Sequence, residues 1–322
     1  MASIEKSFRI GNQANYSTAG YVWLDPETNK LRYTYSAVAP TFSTGGNLST
    51  GRIAFAGAGC TQNAALAFGG WTPSVVSCTE EYNGTSWSGG GALIAAVACH
   101  GSAGTLQNAA LSFGGCNSSF TRVSCTEEYN GTSWAAGGPL ITTADTLAGN
   151  GSQNSAIAVG GINPSILTCT EEYNGTSWSA GGALINGRRD HAVAASIANN
   201  ALTWGGCTPY ANTKVERYNG TSWASYTDKN SKNVNHGALG NSTCALSTGG
   251  YNPYGMPQFF SELYDGDVWR QAGPLITAVG SFGSTTTSAT VGAVFGGTDL
   301  TFNSVVTTQE ITFGPTILAC YL

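Results

Sequence analysis

The stretch Cys78-Thr79-Glu80-Glu81-Tyr82-Asn83-Gly84-Thr85-Ser86-Trp87 returns almost verbatim at 125–134 and 169–178. A looser copy, Val215-Glu216-Arg217-Tyr218-Asn219-Gly220-Thr221-Ser222-Trp223, and a diverged one, Ser261-Glu262-Leu263-Tyr264-Asp265-Gly266-Asp267-Val268-Trp269, follow. Trp trails Tyr by five positions in all five copies. A Gly-Gly pair begins at 69, 114, 160, 205, 249 and 296, so the repeats are 44 to 47 residues long. Six such units fill the chain from about residue 51 onward, and a fixed period of that size is the signature of a repeat architecture.

Each unit reads as four short strands. Asn-Gly or Asp-Gly between β-runs is a strong hairpin signal, and a two-residue type I′ turn there puts Tyr82 and Thr85 on opposite arms. The strand before each Gly-Gly alternates bulk with small residues, as in Leu66 and Phe68, Leu111 and Phe113, Ile157 and Val159, Leu202 and Trp204. A sheet sandwiched between neighbouring sheets wants bulk on one face and room on the other. Glycine then lets the chain turn where a Cβ would clash. With no helical periodicity, the expectation is an all-β, six-bladed β-propeller of four-stranded antiparallel blades, with seven blades as the alternative.

The Gly-Gly pair, the Glu-x-Tyr and Trp, and the Pro-Leu of Gly138-Pro139-Leu140 and Gly273-Pro274-Leu275 are together similar to the kelch repeat. Arg188-Arg189-Asp190-His191-Ala192-Val193 resembles the opening of a kelch blade. The EEYNGTSW wording also resembles kelch-like propellers encoded by aquatic phages and some bacteria. That resemblance implies a virion or surface-attachment role rather than a reaction.

The ends depart from the period. Residues 1–45 read as an N-terminal arm and 46–322 as the propeller. Within the arm, 21–33 reads as a hairpin with a Pro-containing turn, which resembles the β-element that begins phage fibre proteins. It serves either to dock the ring to a particle or to supply an outer strand to the last blade, whose unit lacks an Asn-Gly-x-x-Trp.

Composition narrows the classes. Of 322 residues, 41% are apolar and 10% charged, with 8 Trp, 14 Tyr and 12 Phe, too aromatic for a disordered chain. A net charge of −5 offers no footprint for nucleic acid or an anionic membrane. No apolar run has transmembrane length, and the first residues lack a signal-peptide core. With the resemblance to phage-encoded propellers, this implies synthesis in the host cytoplasm and residence in the virion. The nine cysteines form no CxxC pair and read as reduced, small apolar residues.

Three constellations bear on chemistry. His100, His191 and His236 fall at nearly equivalent places on first strands, which line a propeller's channel. Blade three interrupts them with Thr146, so they read as packing histidines before a metal site, and no cofactor is expected. Glu80, Glu127, Glu171, Glu216 and Glu262, followed by Glu81, Glu128 and Glu172, repeat in every blade, whereas catalysis needs one asymmetric site. They read as acceptors between blades. The resemblance adds that the galactose-oxidising kelch relative needs a Tyr and His copper set, and propeller sialidases an arginine triad; neither set can be assigned. The sequons at Asn83, Asn130, Asn174 and Asn219 belong to the turns.

What remains is a surface. The loops after Gly-Gly are the least repetitive segments and hold Trp71, Phe120, Tyr210, Tyr251, Tyr254, Phe259, Phe260 and Phe302, all on one side of the disc. Exposed aromatics can stack on sugar rings or form an interface core. The fifth loop, 251–260, is the longest and most aromatic. The expected function is a non-enzymatic phage virion protein, a tail fibre or decoration, whose loop face meets a host glycan or receptor while the arm contacts other virion proteins. A purely structural subunit and a propeller-type oxidase or glycosidase are the rivals.

Overall fold

The computed structural model describes residues 21–25, 30–34, 40–286 and 288–312, the first two segments as backbone. Six four-stranded antiparallel sheets make up the ring, and no helix occurs among the described residues. The first blade is Ala56–Thr61, Ala64–Phe68, Thr79–Tyr82 and Trp87–Gly90, from the axis outward. The next four repeat this order. The sixth combines Gly283–Ser284, Val291–Phe295 and Thr308–Thr312 with Thr41–Thr44 from the other end of the chain.

Six blades, not seven, complete the ring, and the closing strand is not the expected hairpin. Tyr21–Asp25 pairs only with Lys30–Thr34, as a separate two-stranded sheet, and its turn lies outside the described residues. Closure falls to Thr41–Thr44, in register from Gln309↔Thr44 to Thr312↔Thr41.

The repeated hairpin also differs from a two-residue turn. Tyr82 faces Trp87 across the pair, leaving four residues in the loop. The Asn83 side-chain oxygen accepts the Thr85 and Ser86 N–H groups, both at 2.9 Å, and only Gly84 has a positive φ. An Asx turn satisfies two backbone donors that a type I′ turn would leave to solvent. The same bonds recur from Asn130, Asn174 and Asn219.

Alternation on the second strand builds the seams. Leu66 and Phe68 pack with Ala110, Tyr129 and Trp134 of blade two, while Ala65 and Ala67 face Phe295 and Ala293 of blade six. The bulky face of every blade thus meets the small face of its successor. Each outer Trp leans on the preceding blade, with Phe68–Trp134 and Phe113–Trp178 centroids 4.8 Å apart.

Two polar bonds then fix the seam. The Trp134 Nε1–H donates to Thr79 Oγ1 at 3.0 Å, and the Tyr129 hydroxyl to Glu81 Oε1 at 2.5 Å. Trp178 with Thr126, Trp223 with Thr170 and Trp87 with Thr308 repeat the first. Tyr173 with Glu128, Tyr218 with Glu172 and Tyr82 with Glu310 repeat the second. Burial and the adjacent carboxylate push the Tyr82, Tyr129, Tyr173 and Tyr218 hydroxyls up to about 12, so each remains a donor.

The exceptions compensate unequally. Blade five has Leu263 at the carboxylate position, and blade six answers with Ile311 in place of Tyr, an apolar pair in one cluster. Between blades four and five, Arg217 and Val215 replace the acceptors. Tyr264 turns to Gly266 O at 2.9 Å, and the Trp269 Nε1–H is buried without a partner.

Val215→Thr is therefore expected to stabilise the protein by about 1 kcal/mol, the usual worth of a buried hydrogen bond, read as a higher urea midpoint; a lower midpoint would refute the seam argument. Truncation separates closure from the rest of the arm. A chain starting at residue 46 loses the last outer strand and should melt lower by on the order of 10 °C, whereas one starting at residue 40 keeps it.

Candidate functional site

Each linker between blades runs inward along one side of the disc, wedged between two successive loops. It pairs with the second of them: Ile53↔Trp71, Ala98↔Cys116, Asp145↔Ile162, Arg189↔Cys207, Val234↔Tyr251 and Gly280↔Thr298. The loop closes on itself in turn, by Trp71↔Val75, Cys116↔Arg122, Ile162↔Ile166, Cys207↔Ala211, Tyr251↔Pro257 and Thr298↔Ser304. Only a tip of three or five residues projects beyond this base.

The five-residue tips at 117–121, 252–256 and 299–303 share one construction. Asn117 Oδ1 accepts the Ser119 and Thr121 N–H groups, Asn252 those of Tyr254 and Met256, and Asp299 those of Thr301 and Asn303. Bonds from Thr301, its hydroxyl first, hold the Asp299 carboxyl below the ordinary range. The fourth tip residue is left-handed in all three: Phe120 at φ 57°, Gly255 at 79° and Phe302 at 61°. Glycine suits that conformation and a bulky side chain does not. Phe120 and Phe302 are nevertheless 67% and 58% exposed, so burial in a core does not explain them.

The structure sorts the loop aromatics. Tyr210 and Tyr254 stand free in solvent, and Phe259 and Phe260, half-exposed, lie 4.7 Å apart. Trp71 is half-buried and meets Phe120 across the first seam at 5.5 Å. Tyr251 lies in the loop base, its ring over Gly280 and its hydroxyl bonded to Thr298. Missing from the sequence reading are Ile94, Ile141, Ile185 and Ile276, exposed on four linkers. Their signal was the Gly-Ala-Leu-Ile or Gly-Pro-Leu-Ile wording, in which Leu is buried and Ile points out. Twelve of the fifteen large apolar side chains exposed among the described residues belong to these loops and linkers. The six tips contain a single charged residue, Asp299.

The glutamates hold the linkers. Glu127 accepts Ile94 and Ala95 N–H, Glu171 those of Ile141 and Thr142, and Glu216 those of Ile185 and Asn186. Glu80 and Glu216 also pair with buried Arg52 and Arg188, and Glu262 with Lys229 at 3.3 Å. Burial pulls Lys229 down to about 8 despite Glu262. Blade two offers Val97 where Arg52 stands, and burial there raises the Glu127 carboxyl above its usual value.

At the axis, six linker residues adopt left-handed backbone: Ala54, Cys99, Thr146, Asp190, Asn235 and Ser281. Each donates its N–H to the carbonyl of its predecessor, and Ala54 donates to Ser281, closing a circle with N···O distances of 2.8–3.2 Å. Inside it lies a cavity of about 170 Å³ bounded by these six and by Phe55, His100, Leu147, His191, His236 and Phe282. The far end is crossed by Asn150, bonded to Val193 O and Thr286 O, and by Thr286, bonded to Gly104 O.

The histidines thus share a level, but the residue matching them in blade three is Leu147, not Thr146, which belongs to the circle. A Cβ on Gly69 would lie 2.7 Å from His100 Nε2, and one on Gly205 2.8 Å from His236 Cε1. The first glycine of the pair therefore makes room for a wedge from the next blade, a place Leu and Phe also fill. His100 bonds Ser112 Oγ at 2.8 Å, whereas both ring nitrogens of His191 and His236 are buried without partners. Among the described residues, no three His, Cys, Asp or Glu side chains are placed to hold a metal ion.

No protein-family profile matches the chain, and no curated protein matches it in sequence. Among solved structures it is similar to one described as "Structure of YjhT", with a TM-score of 0.67 and 13% identity over 83% of this chain and 97% of that one. At that identity the likeness is one of fold.

Desolvation lowers His100 to about 4 and keeps His191 and His236 well below their usual value. The unfolded chain binds these protons near pH 6.5 and the native one does not, so their stabilisation is complete above that pH and is lost as the pH falls below it. Each histidine contributes a slope of up to about 1.4 kcal/mol per pH unit. The double variant His191→Leu, His236→Leu, which copies blade three, should flatten the fall in melting temperature between pH 6.5 and 5. An unchanged slope would contradict the wedge assignment.

Proposed function

We infer that this chain is a non-enzymatic display module, a phage virion protein whose loop face makes contact with a host-surface glycan or protein. The reading takes the kelch-like wording of the repeats as kinship and the EEYNGTSW wording as a sign of phage origin. The observation that carries the binding role is the pair Phe120 and Phe302. A left-handed non-glycine residue costs roughly 1 kcal/mol or more, and these largely exposed rings recover little of that by burial, Phe120 through its contact with Trp71. The equivalent Gly255 is the cheaper solution, so retention of Phe at two tips supports a role outside the fold.

Two further features support it. The face is apolar and nearly free of charge at its tips, which suits stacking on neutral sugar rings or the dry centre of a protein interface. Thr41 and Thr312 also pair directly, at the end of blade six remote from its loop. An arm docked to a particle on that side leaves the loops free, and many copies turn weak contacts into avidity.

Labelled chain should bind candidate host cells, or their extracted neutral polysaccharide, saturably. A triple variant, Phe120→Gly, Tyr254→Ala, Phe302→Gly, should lose at least about tenfold in affinity, the worth of one hot-spot contact, with an unchanged or higher melting temperature. Equal absence of binding by both chains would overturn attachment and favour the purely structural subunit.

A further inference from the structure

The six linkers cross their loops at equivalent points, yet in blade two the crossing brings two cysteines together. Ala98 and Cys116 exchange both backbone hydrogen bonds at 2.9 Å, which sets Cys99, the next residue, beside Cys116. Cys99 packs on the small cluster of Val75, Ala98 and Cys116, with Trp71 at its edge. Both cysteines thus share one small cluster, and neither is in a disulfide. The corresponding pairs elsewhere are Ala54 with Trp71, Thr146 with Ile162, Asp190 with Cys207, Asn235 with Tyr251 and Ser281 with Thr298. None of these has two sulfurs.

We propose that Cys99 and Cys116 are a redox-modification site, a dithiol that closes to a disulfide and ties the axial circle to the base of the loop bearing Phe120. The inference does not rest on the attachment reading. Its oxidant is a low-molecular-weight disulfide such as oxidised glutathione. One cysteine, as thiolate, attacks that disulfide, forming a mixed disulfide and expelling one glutathione thiolate. The other then displaces the second glutathione, so one S–S bond is made and one broken. The two cysteine protons end on two glutathione thiols, the protein is oxidised by two electrons and the glutathione disulfide is reduced.

Local chemistry favours the pair over the other cysteines. The neighbouring Cys99 thiol, and after it the charge of Arg122, lower the Cys116 thiol against the opposing effect of burial. The same pairing, with burial, pushes Cys99 up. Cys116 is therefore the readier thiolate of the two, while Cys99, partly buried where Cys116 is buried, is the more exposed residue. Cys125 and Cys169 sit beside Glu127 and Glu171, and burial followed by those carboxylates raises both.

The full-length chain, equilibrated in a series of oxidised-to-reduced glutathione ratios and then alkylated under denaturing conditions, tests this by intact mass and chymotryptic mapping. The expected result is a loss of about 2 Da before alkylation, a Cys99–Cys116 cross-linked peptide, and a return to nine alkylated cysteines on reduction. Cys99→Ser should abolish the cross-link and leave glutathione on Cys116, while Cys207→Ser should change nothing. A pair that remains fully alkylated at ratios where any other cysteine is oxidised would overturn the proposal. So would a cross-link of either cysteine to a third one. The wild-type map stands by itself if a variant fails to fold.

Discussion

The ring rests on a contact made across, not within, its blades: a tryptophan and a tyrosine of one sheet reaching into the sheet before it. A single four-stranded sheet with a row of alanines on one face and Leu or Phe on the other has no use for either face alone. Stacked in a circle, the bulky face finds the small one, the indole covers the junction, and its N–H and the phenol each find an acceptor that the burial would otherwise leave dry. Both acceptors lie on the same short strand as the Tyr, in Thr-Glu-Glu-Tyr order, so one tetrapeptide is at once receiver and donor. Repetition of that strand propagates the interaction around the axis. Where the wording changes, its partner in the next blade changes with it, as in Leu263 and Ile311, except at the junction of blades four and five.

Much of this was legible. The Gly-Gly spacing counted the blades, the Ala/Leu/Phe alternation assigned the two faces, and the repetition of Glu pointed to hydrogen-bond acceptors between blades. Three things were not. The four-residue turn hides behind Asn-Gly, because the capping atom is a side-chain oxygen and the pattern of letters fits either turn. The closing strand Thr-Phe-Ser-Thr carries no Trp, since it faces Ile311 and not a tyrosine, and the more regular alternation of 21–33 drew attention away from it. The alignment of the channel residues slipped by one at Leu147, because first strands differ in their bulges and counting back from glycine does not see them.

The loops were legible in place but not in detail. Sequence put every aromatic on the correct side, yet exposure depends on whether a residue sits in the base or at the tip. Tyr251 begins its loop and so takes the cross-paired position, where its ring lies flat on the adjacent linker. Phe120 and Phe302 sit three residues beyond an Asn or Asp that winds the chain, which forces them outward in left-handed backbone. The exposed isoleucines were overlooked for the opposite reason: they are as regular as the core, and regularity reads as burial.

The order of the strands along the chain has a consequence for biogenesis. The piece that completes blade six leaves the ribosome before any blade is made and waits for a partner that comes last; Thr41 and Thr312, bonded to each other, are 271 positions apart. The backbone circle at the axis likewise cannot shut until residue 281 meets residue 54. Five blades can assemble in sequence on a growing chain, but that arc presents the alanines, Tyr82 and Trp87 of blade one uncovered at one end and Leu246 and Leu263 of blade five at the other. Topologies dominated by such distant pairings form slowly. The nascent protein is therefore a sticky crescent until its sixth blade is made, and burial of its two raw ends waits for the strands up to Thr308–Thr312.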